Sequence, residues 1–253
     1  MSGLPVSLYT AAGVRELDRR TIEDFGVPGY RLMCNAGAAT FEALALRWPE
    51  RPLSVVCGAG NNAGDGYVIA RLARQAGRPV TVLALVDPAR LCGDALKAAR
   101  DYVDAGGEVM PWTGALEDAE SVIVDALLGT GLDRDVDGSF AAAVAAINTA
   151  PGPVVAVDIP SGLHADTGKV MGVAVMADLT VTFVGMKTGL LTGRGPALCG
   201  ELLFDDLGAP AQASEGVPLK ARRISGAEIK HCLPPRPGDA HKGLSGHVLI
   251  VGG

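Results

Sequence analysis

Aromatic residues make up only 4% of the 253-residue chain, so its core must be aliphatic. Hydrophobic content is nevertheless 48%, and its valine-, leucine- and alanine-rich runs suit buried parallel strands covered by helices. Cysteine is sparse: Cys34, Cys57, Cys92, Cys199 and Cys232 form no C-x-x-C and sit mostly in apolar runs. That usage fits reduced thiols in a cytoplasmic protein better than a disulfide framework. An excess of positive charge is missing, the net charge being −6, which argues against nucleic-acid or anionic-membrane binding by bulk attraction. No apolar run approaches a membrane span, and MSGLPVSLYT has no basic segment ahead of an apolar one, as a secretion signal would. His231, His241 and His247 lack a recognised metal spacing.

The stretch that organises the chain is LSVVCGAGNNAGDGYVIARLARQ, from Leu53 to Gln75. Leu53 to Cys57 reads as a buried strand. Gly58, Gly60, Gly64 and Gly66 follow, and Tyr67 to Gln75 has helical character. A strand, a glycine-rich turn and a helix start suit an anionic ligand, because glycine lets backbone approach phosphate and the helix end supplies free N–H groups. Asn61, Asn62 and Asp65 add more polar chemistry than a phosphate loop requires. The turn is neither G-x-G-x-x-G nor a Walker A loop. Taken alone it could also be a tight connection capped by Asn and Asp.

Along the rest of the chain, Thr10 reads as the N-cap of a helix to about Phe25, with Val14, Leu17 and Phe25 on one face. Pro28 opens a second helix that stops before Pro49. Strands are expected at Val80 to Val86, Glu108 to Trp112, Ser121 to Asp125, Val154 to Asp158, Val173 to Val184 and Leu202 to Asp205. Helices are expected at Asp94 to Ala105 and Phe140 to Ile147. The alternation predicts an α/β, Rossmann-like three-layer αβα sandwich with a mostly parallel sheet. Residues 1–210 form its domain, and GAPAQASEGVP opens a linker over 211–225. Beyond it come a helix candidate from Gly226 to Cys232 and an apolar strand from His247 to Val251, read as the beginning of a second, incomplete domain.

Two strands end in an aspartate that leads into a structured loop: Asp125 into ALLGTGLDRDVDG and Asp158 into IPSGLHADTG. Ligands of open α/β sheets bind at the carboxyl ends of strands. The loops near Gly58, Asp125 and Asp158 should therefore face one crevice.

GAGNNAGDGYVIAR, VDALLGTGL and VDIPSGLHADTG, in this order, resemble the NAD(P)H-hydrate epimerase family, the YjeF N-terminal domain, over roughly residues 8–210. RLMCNAG resembles its early helix, and HKGLSGHVLIVGG resembles the opening of the ADP-dependent NAD(P)H-hydrate dehydratase, often fused behind it. The resemblance implies an isomerase that interconverts the R and S forms of NADHX and NADPHX in cofactor repair. It implies one potassium ion per epimerase domain, with ADP or ATP used only by a complete dehydratase domain, and a homo-oligomer, a dimer or higher. Asn61, Asn62, Ala63, Gly64 and Asp65 would hold substrate. Gly129, Thr130, Gly131, Leu132, Asp133, Arg134 and Asp135 would line its pyrophosphate, and Asp158 would also contact it. Asn62, Asp125 and Ser161 would ligate potassium. Departures from the family pattern stand at Cys34, usually Glu, at Ala63, commonly Gly, and at His164, often Asp; Lys187 has a family counterpart and would either support the site or lie on the surface.

The hydrated carbon C6 is a hemiaminal, so inversion can proceed by loss and re-addition of the hydroxyl or by ring opening. Both routes need a group that donates and accepts a proton. Asp125 is the candidate and Asp158 the alternate. Two rivals are a non-catalytic module of the same fold that binds a nucleotide or a partner protein, and an NAD-dependent oxidoreductase, which the missing fingerprint disfavours.

Overall fold

A computed structural model describes residues 3–224 except 117 and 119, together with 226, 228 and 229. The chain divides into two units, Met1–Arg222 and Arg223–Gly253. Of the helix expected from Gly226 to Cys232, Gly226, Glu228 and Ile229 are described and helical, while the others, and the whole strand His247 to Val251, lie outside the described residues.

In the first unit β1 (Ser7–Tyr9) leads into α1 (Ala11–Arg19), whose cap Thr10 accepts a bond from the Gly13 N–H at 3.0 Å. The helix does not run regularly to Phe25: it widens into a π turn at Arg20–Asp24, and Phe25 is exposed rather than on the buried face. Then follow α2 (Gly29–Arg47), β2 (Leu53–Cys57), α3 (Asn61–Gln75), β3 (Val80–Ala84) and α4 (Gly93–Asp104). After them come β4 (Val109–Pro111), β5 (Val122–Ala126), α5 (Gly138–Thr149) and β6 (Val154–Val157). The unit closes with β7 (Leu179–Phe183), β8 (Met186–Lys187), the single turn α6 (Gly195–Leu198), β9 (Glu201–Asp205) and β10 (Ala221–Arg222).

Seven strands form one all-parallel sheet in the order β4-β3-β2-β5-β6-β7-β9. Pleat alternation divides the core. Val55, Cys57, Val122 and Val124 pack with residues of α2, α3 and α4, such as Leu44, Val68 and Ala98. Val56 and Ile123 pack with Ala143, Val144 and Ile147 of α5 on the opposite face. This is the three-layer arrangement the sequence predicts.

The strand expected from Val173 is shorter at its start. Residues 173–178 form a loop held to α5, where Asn148 donates to the Ala174 carbonyl and accepts from the Met176 N–H. The expected linker also differs: Val217 is buried, and β10 pairs with β1, which pairs in turn with β8. Strands of two or three residues leave no periodicity to read. Their consequence is functional, because the ladder partner of Tyr9 is Lys187.

The order of strands reverses direction between β2 and β5. From β2 the chain builds outward through β3 and β4, then returns to place β5 on the other side of β2. The loops after β2 and β5 therefore diverge, and a crevice opens between them.

Candidate functional site

A cavity of about 580 Å³ lies at this switch point, within the usual range of small-molecule sites. Its walls include Asn61, Asn62 and Asp65 from α3, the run Leu127 to Arg134 after β5, Asp158 after β6, and Lys187 of β8. Arg15 and Asp18 of α1 close it from the N-terminal side.

The glycines after β2 serve packing more than ligand approach. A Cβ on Gly58 would lie 1.9 Å from the Leu127 carbonyl oxygen, so this glycine lets the ends of β2 and β5 touch. Gly64 and Gly66 lie inside α3, not in a turn. Gly64 meets Met33 of α2 and Ala95 of α4, and Gly66 lies against Ala126 and Cys57. Gly60 alone of the four has open space around it, and it caps α3. The helix thus begins at Asn61, several residues earlier than its helical periodicity shows, and its first turn faces the cavity. Free N–H groups and the positive end of the helix dipole attract anions there. Ala63 sits within the helix at ordinary negative φ, so its departure from glycine costs nothing in backbone strain.

The two strand-end aspartates differ. Asp125 lies one residue inside β5, paired between Val56 and Ala156 in the sheet. It shares the Ile123 face, is fully buried, and forms no part of the cavity wall. One carboxylate oxygen accepts from the Ser161 N–H at 2.8 Å; the other accepts from the Ser161 hydroxyl at 2.6 Å and the Leu127 N–H at 3.3 Å. Burial raises its pKa to about 6, against the lowering effect of those bonds. Asp125, expected to face the crevice, instead has its carboxylate beneath the Ser161 loop, behind the cavity wall.

Asp158 follows the last residue of β6 and has φ +69°, a conformation non-glycine residues rarely adopt and one that concentrates at functional sites. It reaches the cavity. Its Oδ1 accepts from Lys187 Nζ, from Thr182 Oγ1 at 3.2 Å and from the Phe183 N–H at 3.3 Å. Lys187 is only 1% exposed and also donates to Thr182 Oγ1 and the Phe183 carbonyl, both at 3.0 Å. It is a buried partner of Asp158, not a surface lysine.

Asn62 is buried, and neither its amide oxygen nor its amide nitrogen has a hydrogen-bond partner among the described residues. A buried unpaired amide is costly, so it marks a place where something binds. Asn62 abuts Gly129, whose Cβ would lie 3.5 Å from the Asn62 Cβ.

Of the remaining expected substrate residues, Gly129 to Arg134 line the cavity, whereas Ala63, Gly64 and Asp135 do not. Ser161 lies behind the wall with Asp125, its oxygen accepting from the Leu128 N–H at 2.8 Å. His164 is a loop residue whose Nδ1 accepts from the Asp166 N–H. Asp166 in turn accepts from the Ala11 N–H at 2.5 Å and ties that loop to the start of α1.

The carboxylates in the wall are under electrostatic stress. Asp65 is held well above the usual carboxylate range by burial and then by the like charges of Asp158 and Asp18. Asp18 is raised to about 6, chiefly by burial, with Lys187 pulling it down and Asp158 pushing it up. Neither carboxylate makes a hydrogen bond or ion pair among the described residues. Asp18 carried no motif signal; it is a single acid on an amphipathic helix.

Residues 29–189 match the family model described as YjeF-related protein N-terminus. The chain is 44% identical over 247 residues to a protein of Coxiella burnetii named bifunctional NAD(P)H-hydrate repair enzyme Nnr, covering 97% of this chain and 50% of that protein. It is 40% identical to the Escherichia coli protein of the same name, covering 99% and 48%. Against the NAD(P)H-hydrate epimerase of Limosilactobacillus fermentum the identity is 44%, covering 79% of this chain and 96% of that one. The chain spans about half the length of the bifunctional relatives it matches. Among solved structures, yeast ynu0 aligns with a TM-score of 0.65 at 22% identity, covering 74% of this chain and 83% of that one, a likeness of fold.

Proposed function

This chain belongs to the family of YjeF-related protein N-termini, and on that premise we propose that it interconverts the R and S epimers of NAD(P)H hydrate in cofactor repair. The observation that carries the reading is the cavity itself. At the switch point of the sheet, the start of α3 faces the Asp158–Lys187 pair and two further unpaired carboxylates. A binding module needs no such cluster of acids; a reaction that gives and takes a proton does.

The division of labour follows from position. The N–H groups opening α3, the Gly129–Gly131 loop and Arg134 suit a diphosphate. Asp158 faces the cavity and we assign it, rather than Asp125, to accept and release protons at C6. Lys187 orients Asp158 and balances its charge.

The wall carries Asp18, Asp65, Asp94, Asp133 and Asp158 against Arg15, Arg134 and Lys187. A dianionic ligand enters that field favourably only if some carboxyls hold protons or a cation sits nearby. The residues fit a cation: Asn62 has an unpaired buried oxygen, and Asp125 and Ser161 supply a carboxylate and a hydroxyl behind the same wall. Hard cations take such oxygen ligands. These three would hold the potassium ion, which when bound would add positive charge to this acidic site.

The chain is proposed to act in the cytoplasm, consistent with four free cysteines among the described residues, Cys34, Cys57, Cys92 and Cys199. No helix among those residues is long and apolar enough to cross a membrane. A homodimer is also proposed, and a monomeric mass by light scattering refutes it. The functional reading is tested by incubating the chain with purified R-NADHX and following the S epimer by chromatography. S-epimer formation well above the uncatalysed rate is expected; none overturns the reading.

A further inference from the structure

We infer that Asp18, on the N-terminal helix, is the acid that protonates the departing C6 hydroxyl. This rests on the epimerase reading above. Asp18 lies outside the stretch matched by the family model, and three observations place it in the reaction. First, it lines the same cavity as Asp158 and Lys187. Second, its carboxyl is half-buried and has no hydrogen-bond or ion-pair partner among the described residues, so no protein group holds it away from a ligand in the cavity. Third, α1 is fixed where it is: Asp166 holds its first N–H, and β1, just before it, pairs with the strand that carries Lys187.

The charged groups that line the cavity with Asp18 are Arg15 on its own helix, Asp65 of α3, Asp94 of α4, Asp133 and Arg134 after β5, and the Asp158–Lys187 pair, of which Lys187 and Asp158 act on it. Three carboxylates, Asp18, Asp65 and Asp158, act on one another around a single buried ammonium. Burial and the like charge of Asp158 favour the protonated form of Asp18, against the pull of Lys187. Burial leaves Asp18 at about 6, suited to releasing a proton near neutrality. Asp65 is also held above the ordinary carboxylate range, by burial and then by the charges of Asp158 and Asp18.

The C6–O bond breaks, the ring nitrogen's lone pair forms the C=N bond, and the oxygen leaves as water with the Asp18 proton. Water then adds to the opposite face of C6, the C=N pair returns to nitrogen, and the proton released goes to the Asp158 carboxylate. Asp158 then gives its proton to solvent and solvent returns one to Asp18, so both carboxyls are reset and nothing is oxidised or reduced.

The test compares the full chain with Asp18→Asn and Asp18→Glu, measuring kcat and KM for R-to-S NADHX conversion across pH and melting by circular dichroism. The wild type is expected to lose kcat as pH rises above about 6, the point at which Asp18 ionises. Asp18→Asn should melt no lower than wild type at pH 7.5, keep its KM, lose at least about 100-fold in kcat, and lose that pH limb. Asp18→Glu should restore part of both. A smaller loss in Asp18→Asn, a loss with the limb intact, or a loss explained by unfolding that Asp18→Glu shares overturns the inference while leaving the epimerase reading standing. A wild type without activity removes both.

Discussion

Gly58→Ala tests the contact on which the crevice depends. Gly58 follows the last residue of β2, and its N–H donates to the Ala126 carbonyl at 3.0 Å. A methyl group there would lie 1.9 Å from the Leu127 carbonyl oxygen, which must retreat by about 1.5 Å to reach the 3.4 Å of ordinary contact. The obstacle is backbone held in a central parallel sheet, so the strain belongs at the upper end of the about 1–3 kcal/mol typical of overpacking. For a unit of this size that corresponds to a fall in Tm of roughly 6–12 °C. The retreat also carries Gly129 away from Asn62, so KM for the hydrate should rise in whatever folds. Gly60→Ala is the control: nothing lies within 4 Å of the added carbon, and the change costs only the poorer N-cap, about 1 kcal/mol. Thermal melting of the two variants decides the matter. If Gly58→Ala melts as high as Gly60→Ala, β2 and β5 do not meet as described and the crevice loses its geometric basis.

The potassium assignment is read by melting alone: replacing choline chloride with potassium chloride should raise the wild-type Tm, by about 2.7 kcal/mol of stability at 100 times Kd, and should not raise that of Asn62→Ala. An equal rise in both removes Asn62 from the ion. Asp18 gives a stability prediction with a definite sign. Its folded pKa of about 6 lies above the ordinary 3.8, so its contribution is complete below about pH 4 and is lost as pH rises through 6. Relative to wild type, Asp18→Asn should therefore gain up to about 3 kcal/mol between pH 4 and pH 7.5, less what water in the cavity screens. Urea denaturation at the two pH values measures this, and a difference independent of pH contradicts it.

The strands LSVVC, SVIVD and VVAVD are legible because each is a short valine-rich run bounded by turn residues. The polar loops at their ends are legible because ligands of such sheets bind there. Where Asp125 points was not: every residue of β5 is buried, so the run carries no alternation that tells which layer each side chain meets. Asp158 escapes this because β6 stops just before it. Lys187 and Asp18 depend on tertiary placement. The lysine is buried by a minor sheet whose three strands have two or three residues each, and Asp18 is aimed by a helix docked through Asp166. The extra glycines looked like a phosphate cradle because close backbone packing and close ligand approach demand the same missing side chain.

The central claim is that the cavity carrying Asp158 performs the epimerisation, and the most direct measurement is the rate of S-NADHX formation from R-NADHX by wild type and by Asp158→Asn at matched folded concentration. The account predicts conversion by the wild type and a loss of about 100-fold or more in the variant, the usual effect of removing a proton carrier. Wild-type conversion with an undiminished rate in Asp158→Asn would contradict it.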